Sequence, residues 1–567
     1  MQSRGKHEGL SFYTITLPSF SDALERGLAS GRWEHDCITS FKRRKNQSLP
    51  VFLQGLTSLV FDVDGTLRKE PSHAAIFALR QICRFAKKLR VSCSEARTNA
   101  AIRQYSTTDD GLRLDGRSPA FHQSLMRVRR IGRWLSSELF GDYSPFRLQP
   151  RHGPGAVFER VRGGARYEHM LPTRRQTVHF TYDWFFQSSL CSSSGVCLEA
   201  DGASDERPAR IVTVPKTLKG PRVIAVEPAA MQYLQQGLMT YVVDQIETSE
   251  LTRNSVRFRD QEPNKLAAQR ESVLCRRATV DLSEASDRIH PKLVREIFGG
   301  SPLLREALFR SRTSRAQLPN GEIRPIFKFS SMGSALCFPV EAFAFYCICL
   351  EAFMATRKLS ITRKNIVRCS RDIDIYGDDL IVPIDILPEL KELLESLGLK
   401  INTTKTFGTG KFRESCGGDF YDGTSVTPTY LRSIIPSSLR ASTEVMSLVA
   451  TSNLLHRSGL WLAADYIKST LRNLGVKLAI SGETAVGLQW FSFNGPEEGL
   501  VRGDLQRPEV RTLVPISRKD PSDFDGHIAL LHFFLQDKRL EPGAWSRMLA
   551  RPHAVKLRSG WVPVLPG

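Results

Sequence analysis

From about residue 205 the chain alternates short apolar, β-rich runs with helical stretches. The runs are RIVTVP from Arg210, RVIAVEP from Arg222, RRATVDLS from Arg276 and DIDIYGDDLIVP from Asp372, each short enough for a strand. Between Leu387 and Gly398 the period changes: Leu390, Leu393, Leu394 and Leu397 fall on one helical face, Pro388 suits a first turn and Gly398 a C-terminus. Ala335 to Ala355 is the most apolar stretch, but Pro339, Glu341 and Glu351 interrupt it, and the unbroken run from Ala342 to Leu350 is too short to span a bilayer. It predicts a buried core helix. Mixed strands and helices in this order predict an α+β domain.

At 567 residues the chain exceeds what one core fills, so two or three packed subdomains are expected. An apolar share of 41% with 24% charged residues excludes a largely disordered chain. Eleven cysteines run from Cys37 to Cys416, the closest pair being Cys347 and Cys349, with no CxxC spacing. They read as reduced thiols rather than zinc ligands or a disulfide framework. The N-terminus lacks an apolar signal-type stretch, so no export is expected. An excess of 79 Lys and Arg over 59 Asp and Glu gives a net charge of +20, which favours a polyanionic partner. The first 200 residues are Arg-rich, with FKRRK around Arg43 and MRVRRIGRW around Arg129, and RHGPGAVFE from Arg151 reads as a surface loop.

Candidate chemistry begins at Tyr376, Gly377, Asp378 and Asp379, where two β-rich runs meet. This predicts a hairpin with acids at its tip, and adjacent carboxylates there call for a cation. Gly-Asp-Asp by itself arises by chance in roughly one chain in ten at average residue usage, so further signals are needed. Upstream, ATVDLSEASDRI ends an apolar strand at Asp281 and enters a polar turn holding Asp287. A lone Asp there is commonly a helix cap. Together with Asp378 and Asp379, however, Asp281 can bind two Mg2+ ions about 3.5 to 4 Å apart, as in-line phosphoryl transfer requires. Ser330 to Ser334 form a small-residue loop before the buried helix, open to close approach of a sugar or nucleic-acid backbone. Lys216, Lys219 and Arg222 recur at three-residue steps just before an apolar strand, a spacing that suits a triphosphate. Lys405 in INTTKTFG is a candidate general acid, followed by Arg413, Glu414 and Cys416 in KFRESCGGDFYDG.

In this order, VPKTLKGPRVIAVEP, ATVDLSEASDRI, SSMGSA, YGDDLIVP, TKTF and FRESCGG resemble the replicase beta subunits of the Qβ-like, leviviral RNA bacteriophages, over roughly residues 205 to 435. The resemblance implies an RNA-directed RNA polymerase on a right-hand fold, with an antiparallel-sheet palm, fingers and a mainly helical thumb. The implied division is 1–204 as N-terminal region and part of the fingers, 205–277 as fingers with the basic phosphate segment, 278–435 as palm with a fingers insertion, and 436–567 as thumb and C-terminal region. It further implies two Mg2+ ions on Asp281 and Asp378 with Asp379 assisting, ribose recognition by Asp287, and phosphate binding by Lys216, Lys219 and Arg222. Ser331, Gly333 and Ser334 line the sugar and template side, and Lys405 protonates pyrophosphate. Similar replicases commonly carry Asn where Ser334 stands; a serine hydroxyl can still donate and accept. Implied partners are RNA template and product, nucleoside triphosphates, host elongation factors Tu and Ts and a small-subunit ribosomal protein. The implied location is the cytoplasm of an infected bacterium, without a membrane.

Three other readings compete. A reverse transcriptase shares the palm, but Leu282 to Ile289 holds Asp287 and no aromatic gate. TSLVFDVDGTL from Thr57 looks like the nucleophile loop of haloacid-dehalogenase-type phosphatases, with Asp62 as nucleophile and Asp64 as acid and base, but the lysine and second acidic pair that chemistry needs do not follow nearby, and an Asp64-Gly65 hairpin turn is the better explanation. A non-catalytic RNA-binding subunit explains the charge but not the ordered acids.

Overall fold

The computed structural model describes residues 1–33, 40–45, 47–162, 165–168, 170–186, 206–482, 487–496, 498–502, 506–517 and 555–564. Helix α1 (Leu17–Ser30) carries Pro18 in its first turn and ends at Gly31, whose φ of 79° gives the left-handed stop that glycine adopts without strain. Helix α2 (His73–Arg84) starts at Ser72, whose hydroxyl accepts from the Ala75 amide at 3.3 Å. Phe20, Leu24 and Leu28 of α1 and Ile76 and Leu79 of α2 form a core with Phe407, Phe412 and Tyr421 from far down the chain. Within this contact the fully buried Arg80 pairs with Glu25 and, at 2.5 Å, with Asp419, while Arg84 pairs with Glu25 at 2.6 Å and Asp22 at 2.7 Å. Removing one partner of such a network leaves a buried charge uncompensated, so it fixes where the N-terminal helices sit.

Helix α3 (Glu95–Asp115) and helix α4 (Pro119–Phe140) follow. Phe121, Leu125, Val128, Ile131, Leu135 and Leu139 recur at three- and four-residue steps along α4 and bury into the main core. The arginines between them face carboxylates: Arg127 pairs with Glu351 and Glu389, and Arg129 and Arg133 share Glu296. Part of the Arg-rich N-terminal charge is therefore matched by carboxylates of this same chain.

Strands β1 (Ala209–Thr217) and β2 (Gly220–Val226) form a hairpin. After helix α5 (Ala229–Thr248) and helix α6 (Glu262–Leu274) come β3 (Arg277–Val280) and β4 (Leu282–Ser283), then β5 (Arg315–Gln317) and β6 (Ile323–Pro325). The first sheet has the order β2-β1-β5-β6, with β1 and β5 parallel. Helix α7 (Cys337–Arg357) is apolar on every face, and Val340 to Leu350 are buried without a break. By length and composition it could cross a membrane, but 89% of its most apolar window is buried inside the protein, as the sequence predicts for a core helix.

Strands β7 (Asp374–Tyr376) and β8 (Asp379–Pro383) pack beside α7, followed by helix α8 (Leu387–Ser396) and β9 (Lys400–Ile401). Leu390, Leu393 and Leu394 of α8 are fully buried, and Gly398 has a φ of 78°. The sheet that carries the acidic motifs has the antiparallel order β3-β8-β7, and β4 pairs with β9 at its margin. Strands β10 (Phe412–Ser415), β11 (Gly418–Tyr421) and β12 (Thr424–Ser425) make a third sheet. Helices α9 (Ser442–Arg457) and α10 (Trp461–Asn473) close a separate core around Val445, Leu448, Leu471 and Trp490. Beyond them β13 (Arg507–Ser517) pairs with β14 (Val555–Pro563). The observed class is mixed helix and sheet.

Eight cysteines lie among the described residues, all unpaired thiols, and five of them are buried. Cys37, Cys191 and Cys197 lie outside the described residues.

Candidate active site

Pairing of Tyr376 with Asp379 leaves Gly377 and Asp378 as a two-residue turn between β7 and β8. Gly377 has a φ of 61°, and a Cβ there would run into the Phe338 ring, so both backbone and packing require glycine. Asp378 is thereby exposed at the tip, and Asp379 begins β8 half-buried. Strand β3 runs antiparallel to β8 with Val280 opposite Leu380. Asp281, the next residue, therefore leaves β3 level with Asp379.

Asp281 is held from two sides. The Asn402 side-chain amide donates to Asp281 Oδ2 at 2.6 Å, and the Asn402 backbone N–H donates to the Asp281 carbonyl at 2.9 Å. Burial raises its pKa above the ordinary aspartate value; Lys405 and Asn402 oppose this, and Glu414 and Asp378 add to it. Asp379 is pushed up to about 7, first by burial and then by the negative charges of Asp378, Asp281 and Glu414. The Cys416 backbone N–H, donating to Asp379 Oδ2 at 3.2 Å, offsets part of this. Three carboxylates crowded in this way repel one another and favour a cation.

Positive charge stands on the other side. Lys405 Nζ lies 3.2 Å from Glu414 Oε1. Burial alone would lower the lysine, but Glu414 and Asp281 outweigh it and hold Lys405 protonated well above its ordinary value. Glu414 in turn is held below the usual carboxylate range despite burial, by Lys405, Arg84 and Arg80. The network anchoring the N-terminal helices thus reaches the acidic group. Lys216, although exposed as a residue, has its ammonium lowered first by surrounding protein and then by Arg222 and Lys405, with Asp378 and Asp281 opposing. Lys216 thus feels the charge of both acids.

Among the described residues no group of three or more His, Cys, Asp or Glu side chains is placed to hold a metal ion by itself. Mg2+ seldom needs one, because it is commonly held by one or two carboxylates with waters and substrate phosphates completing its shell. Asp281, Asp378 and Asp379 offer the all-oxygen donor type that Mg2+ takes, with their mutual repulsion only partly offset by Lys405, Asn402 and the Cys416 N–H.

Comparison with known proteins covers the stretch that holds these residues. A family model described as RNA replicase, beta-chain, matches residues 95–452, more than half of the chain. The chain belongs to this family. Among relatives, the RNA-directed RNA polymerase subunit beta of Escherichia virus Qbeta is 36% identical over 228 residues, covering 40% of this chain and 36% of the relative. That of Enterobacteria phage SP is 32% identical over 311 residues, covering 54% and 50%. The RNA-directed RNA polymerase beta chain of Escherichia phage MS2 is 36% identical over 222 residues, covering 39% and 37%. The aligned stretches span between about a third and half of the length of these relatives.

In this replicase-family chain the other predicted residues fall mainly in two groups. Lys216 lies near the end of β1, Lys219 in the hairpin turn and Arg222 within β2 opposite Val214, so the basic trio occupies a hairpin rather than a lead-in to one strand. The second group is the turn before α7. Gly333 has a φ of 118° and lies flat on the Ala225 backbone, whose N–H donates to the Met332 carbonyl at 2.7 Å. Ser331 Oγ is 2.7 Å from the Tyr105 hydroxyl, and Ser334 donates to Gln235 at 3.0 Å. Asp287 sits in a single 3-10 turn, where Lys328 donates to its Oδ1 at 2.9 Å.

Sequence reasoning missed Asn402, Lys328 and Tyr105, and gave Glu414 no role. For Lys328 a signal existed, a lone cation between Phe327 and Phe329 in an otherwise apolar run; nothing in the sequence connects Tyr105 to Ser331. The DxDGT segment is a tight turn. Asp64 accepts from the Thr66 backbone N–H at 3.1 Å and its hydroxyl at 2.8 Å, Gly65 has a φ of 89°, and Asp62 pairs with Arg68 at 3.2 Å in solvent. Both acids are engaged in local structure, which favours the hairpin reading.

Proposed function

We propose that this chain is a template-directed RNA polymerase that replicates a single-stranded RNA phage genome by two-metal nucleotidyl transfer. The observation that carries the reading is the β3-β8 register, which sets Asp281 level with the Asp378-Asp379 turn although nearly a hundred residues separate them. In this reading the β3-β8-β7 sheet is the core of the palm, 278–435, flanked by fingers built from 205–277 and part of 1–204, with 436–567 as thumb and C-terminal region.

Asp281 and Asp378 hold two Mg2+ ions, assisted by Asp379. When bound, these ions neutralise charge on the phosphate oxygens and acidify the attacking hydroxyl. Lys216, Lys219 and Arg222 bind the β- and γ-phosphates of the incoming nucleotide, and Asp287 accepts a hydrogen bond from its ribose. Ser331, Gly333 and Ser334 line the sugar and template side. The primer 3′-oxygen bonds to the α-phosphorus as the bond to the bridging oxygen breaks, and Lys405 gives its proton to departing pyrophosphate. A lysine held charged by Glu414 and Asp281 is available for that transfer. Partners in this reading are RNA, nucleoside triphosphates, elongation factors Tu and Ts and a small-subunit ribosomal protein, in the cytoplasm of an infected bacterium.

The test is to give the purified chain, alone and with bacterial extract, an RNA template, labelled nucleoside triphosphates and Mg2+. Template-dependent RNA product that disappears in Asp378→Ala is the expected result. Product persisting in that variant would point to a non-catalytic RNA-binding role, and preferential use of deoxyribonucleotides to a reverse transcriptase.

A further inference from the structure

Lys328 is a buried cation that the proposed chemistry does not use. Its side chain is fully enclosed, and among the described residues its one carboxylate partner is Asp287, at 2.9 Å. The ammonium lies 3.4 Å from the centroid of the Tyr105 ring, within cation-π range. The Tyr105 hydroxyl is 2.7 Å from Ser331 Oγ. The backbone is pinned as well, because Asp109, one turn beyond Tyr105 on α3, accepts from the N–H groups of Phe327 and Lys328 at 3.0 and 2.9 Å. Four residues from three separate segments thus form one strut, with Asp287 at one end and Ser331 at the other.

As a stabilising element this strut is a poor choice. Burying an ammonium is costly, and an apolar side chain of similar volume usually stabilises as well or better. The arrangement makes sense if the direction of the Asp287 carboxylate matters. Glu341, a further buried acid, is pushed well above the carboxylate range by burial and then by the charges of Asp378 and Asp287, and makes no ion pair with Lys328 among the described residues. Lys328 therefore belongs to Asp287, whose side chain remains 20% exposed.

We propose that Lys328, braced by Tyr105, is a positioning residue that locks Asp287 and Ser331 in register and so sets discrimination between ribo- and 2′-deoxyribonucleotides. The inference rests on the proposed role of Asp287 at the ribose. A carboxylate held by one oxygen accepts a 2′-hydroxyl in a fixed direction; a carboxylate free to rotate accepts it weakly and replaces it with water when the hydroxyl is missing. A site built around a substrate hydroxyl rejects the analogue that lacks it, and does so only while its geometry is kept.

The experiment is primer extension on an RNA template with Mg2+, reading the ratio of kcat/KM for a nucleoside triphosphate over its 2′-deoxy analogue. Lys328→Met is expected to lower that ratio about tenfold, the value of one hydrogen bond to a charged group. Tyr105→Phe, which keeps the ring and frees Ser331, is expected to lower it about threefold, as for a neutral bond. A purely structural role would reduce use of both nucleotides alike and leave the ratio fixed. If Lys328→Met does not fold, Tyr105→Phe carries the test: a lowered ratio at an unchanged melting temperature supports the inference. An unchanged ratio in Tyr105→Phe and in the folded Lys328 variant overturns it. Wild-type chain that makes no RNA would instead defeat the polymerase reading, and an unchanged ratio in Asp287→Ala the ribose assignment.

Discussion

Lys405 and Glu414 face each other across 3.2 Å at the edge of the acidic group, with Arg84 and Arg80 supporting the carboxylate from behind. The pairing keeps the lysine protonated beyond the pH at which a free lysine, with a pKa of about 10.4, would lose its proton. Because the folded value is raised, the stabilisation is fully present below the unfolded pKa and is lost as pH rises through the folded one. Glu414→Gln is therefore expected to lower kcat with little change in KM, and to shift the alkaline fall of kcat to lower pH. Glu414→Asp should restore part of both. A pH profile identical to wild type would count against Lys405 as the acid.

Asp379 gives a second pH dependence, of the same sign but in a lower pH window. Its folded pKa of about 7 lies above the unfolded aspartate value of about 3.9, so the metal-free protein loses stability as pH rises between them. Millimolar Mg2+ should raise the melting temperature strongly at pH 8 and much less at pH 5. Asp378→Asn should raise the metal-free melting temperature at pH 8 and shrink the Mg2+ effect. Equal Mg2+ shifts at both pH values would contradict ion binding at these carboxylates.

Gly377→Ala combines a left-handed backbone with a collision against Phe338. The backbone alone costs about 1–2 kcal/mol, and the ring must also move. A lower melting temperature and at least a tenfold loss of RNA synthesis are expected, since Asp378 is carried by the same turn. The measurement is thermal unfolding beside single-nucleotide incorporation.

Asp62→Asn removes an exposed ion pair with Arg68 and nothing deeper. Stability should change by no more than about 0.5 kcal/mol, RNA synthesis should stay at the wild-type rate, and no phosphatase activity should be available to lose. Phosphate release by the wild-type chain that vanishes in this variant would revive the phosphatase reading.

Much of this was legible in the chain itself. The α8 leucines, the apolar α7 and the hairpin at Gly377 obey local periodicities, and the structure has them where the pattern puts them. The convergence of Asp281 with Asp378 could be anticipated only because strand-end acids recur in order; their alignment depends on a β3-β8 register that no local pattern encodes. The Lys328 strut and the Asn402 clamp were invisible for the same reason, since each joins segments distant in sequence through single polar contacts. The arginines of α4 had no role legible in the sequence, and three of them are matched by Glu296, Glu351 and Glu389 within the fold, a pairing no local pattern encodes.

The family match begins at residue 95, yet Arg80 and Arg84 lie before it and neutralise Glu25 and Asp419 inside the fold. A fragment trimmed to the shared portion would expose the apolar faces of Phe407 and Phe412 and leave Asp419 without its guanidinium. The boundary drawn by kinship and the boundary of the packed unit fall at different places along this chain, and the second takes in helices α1 and α2.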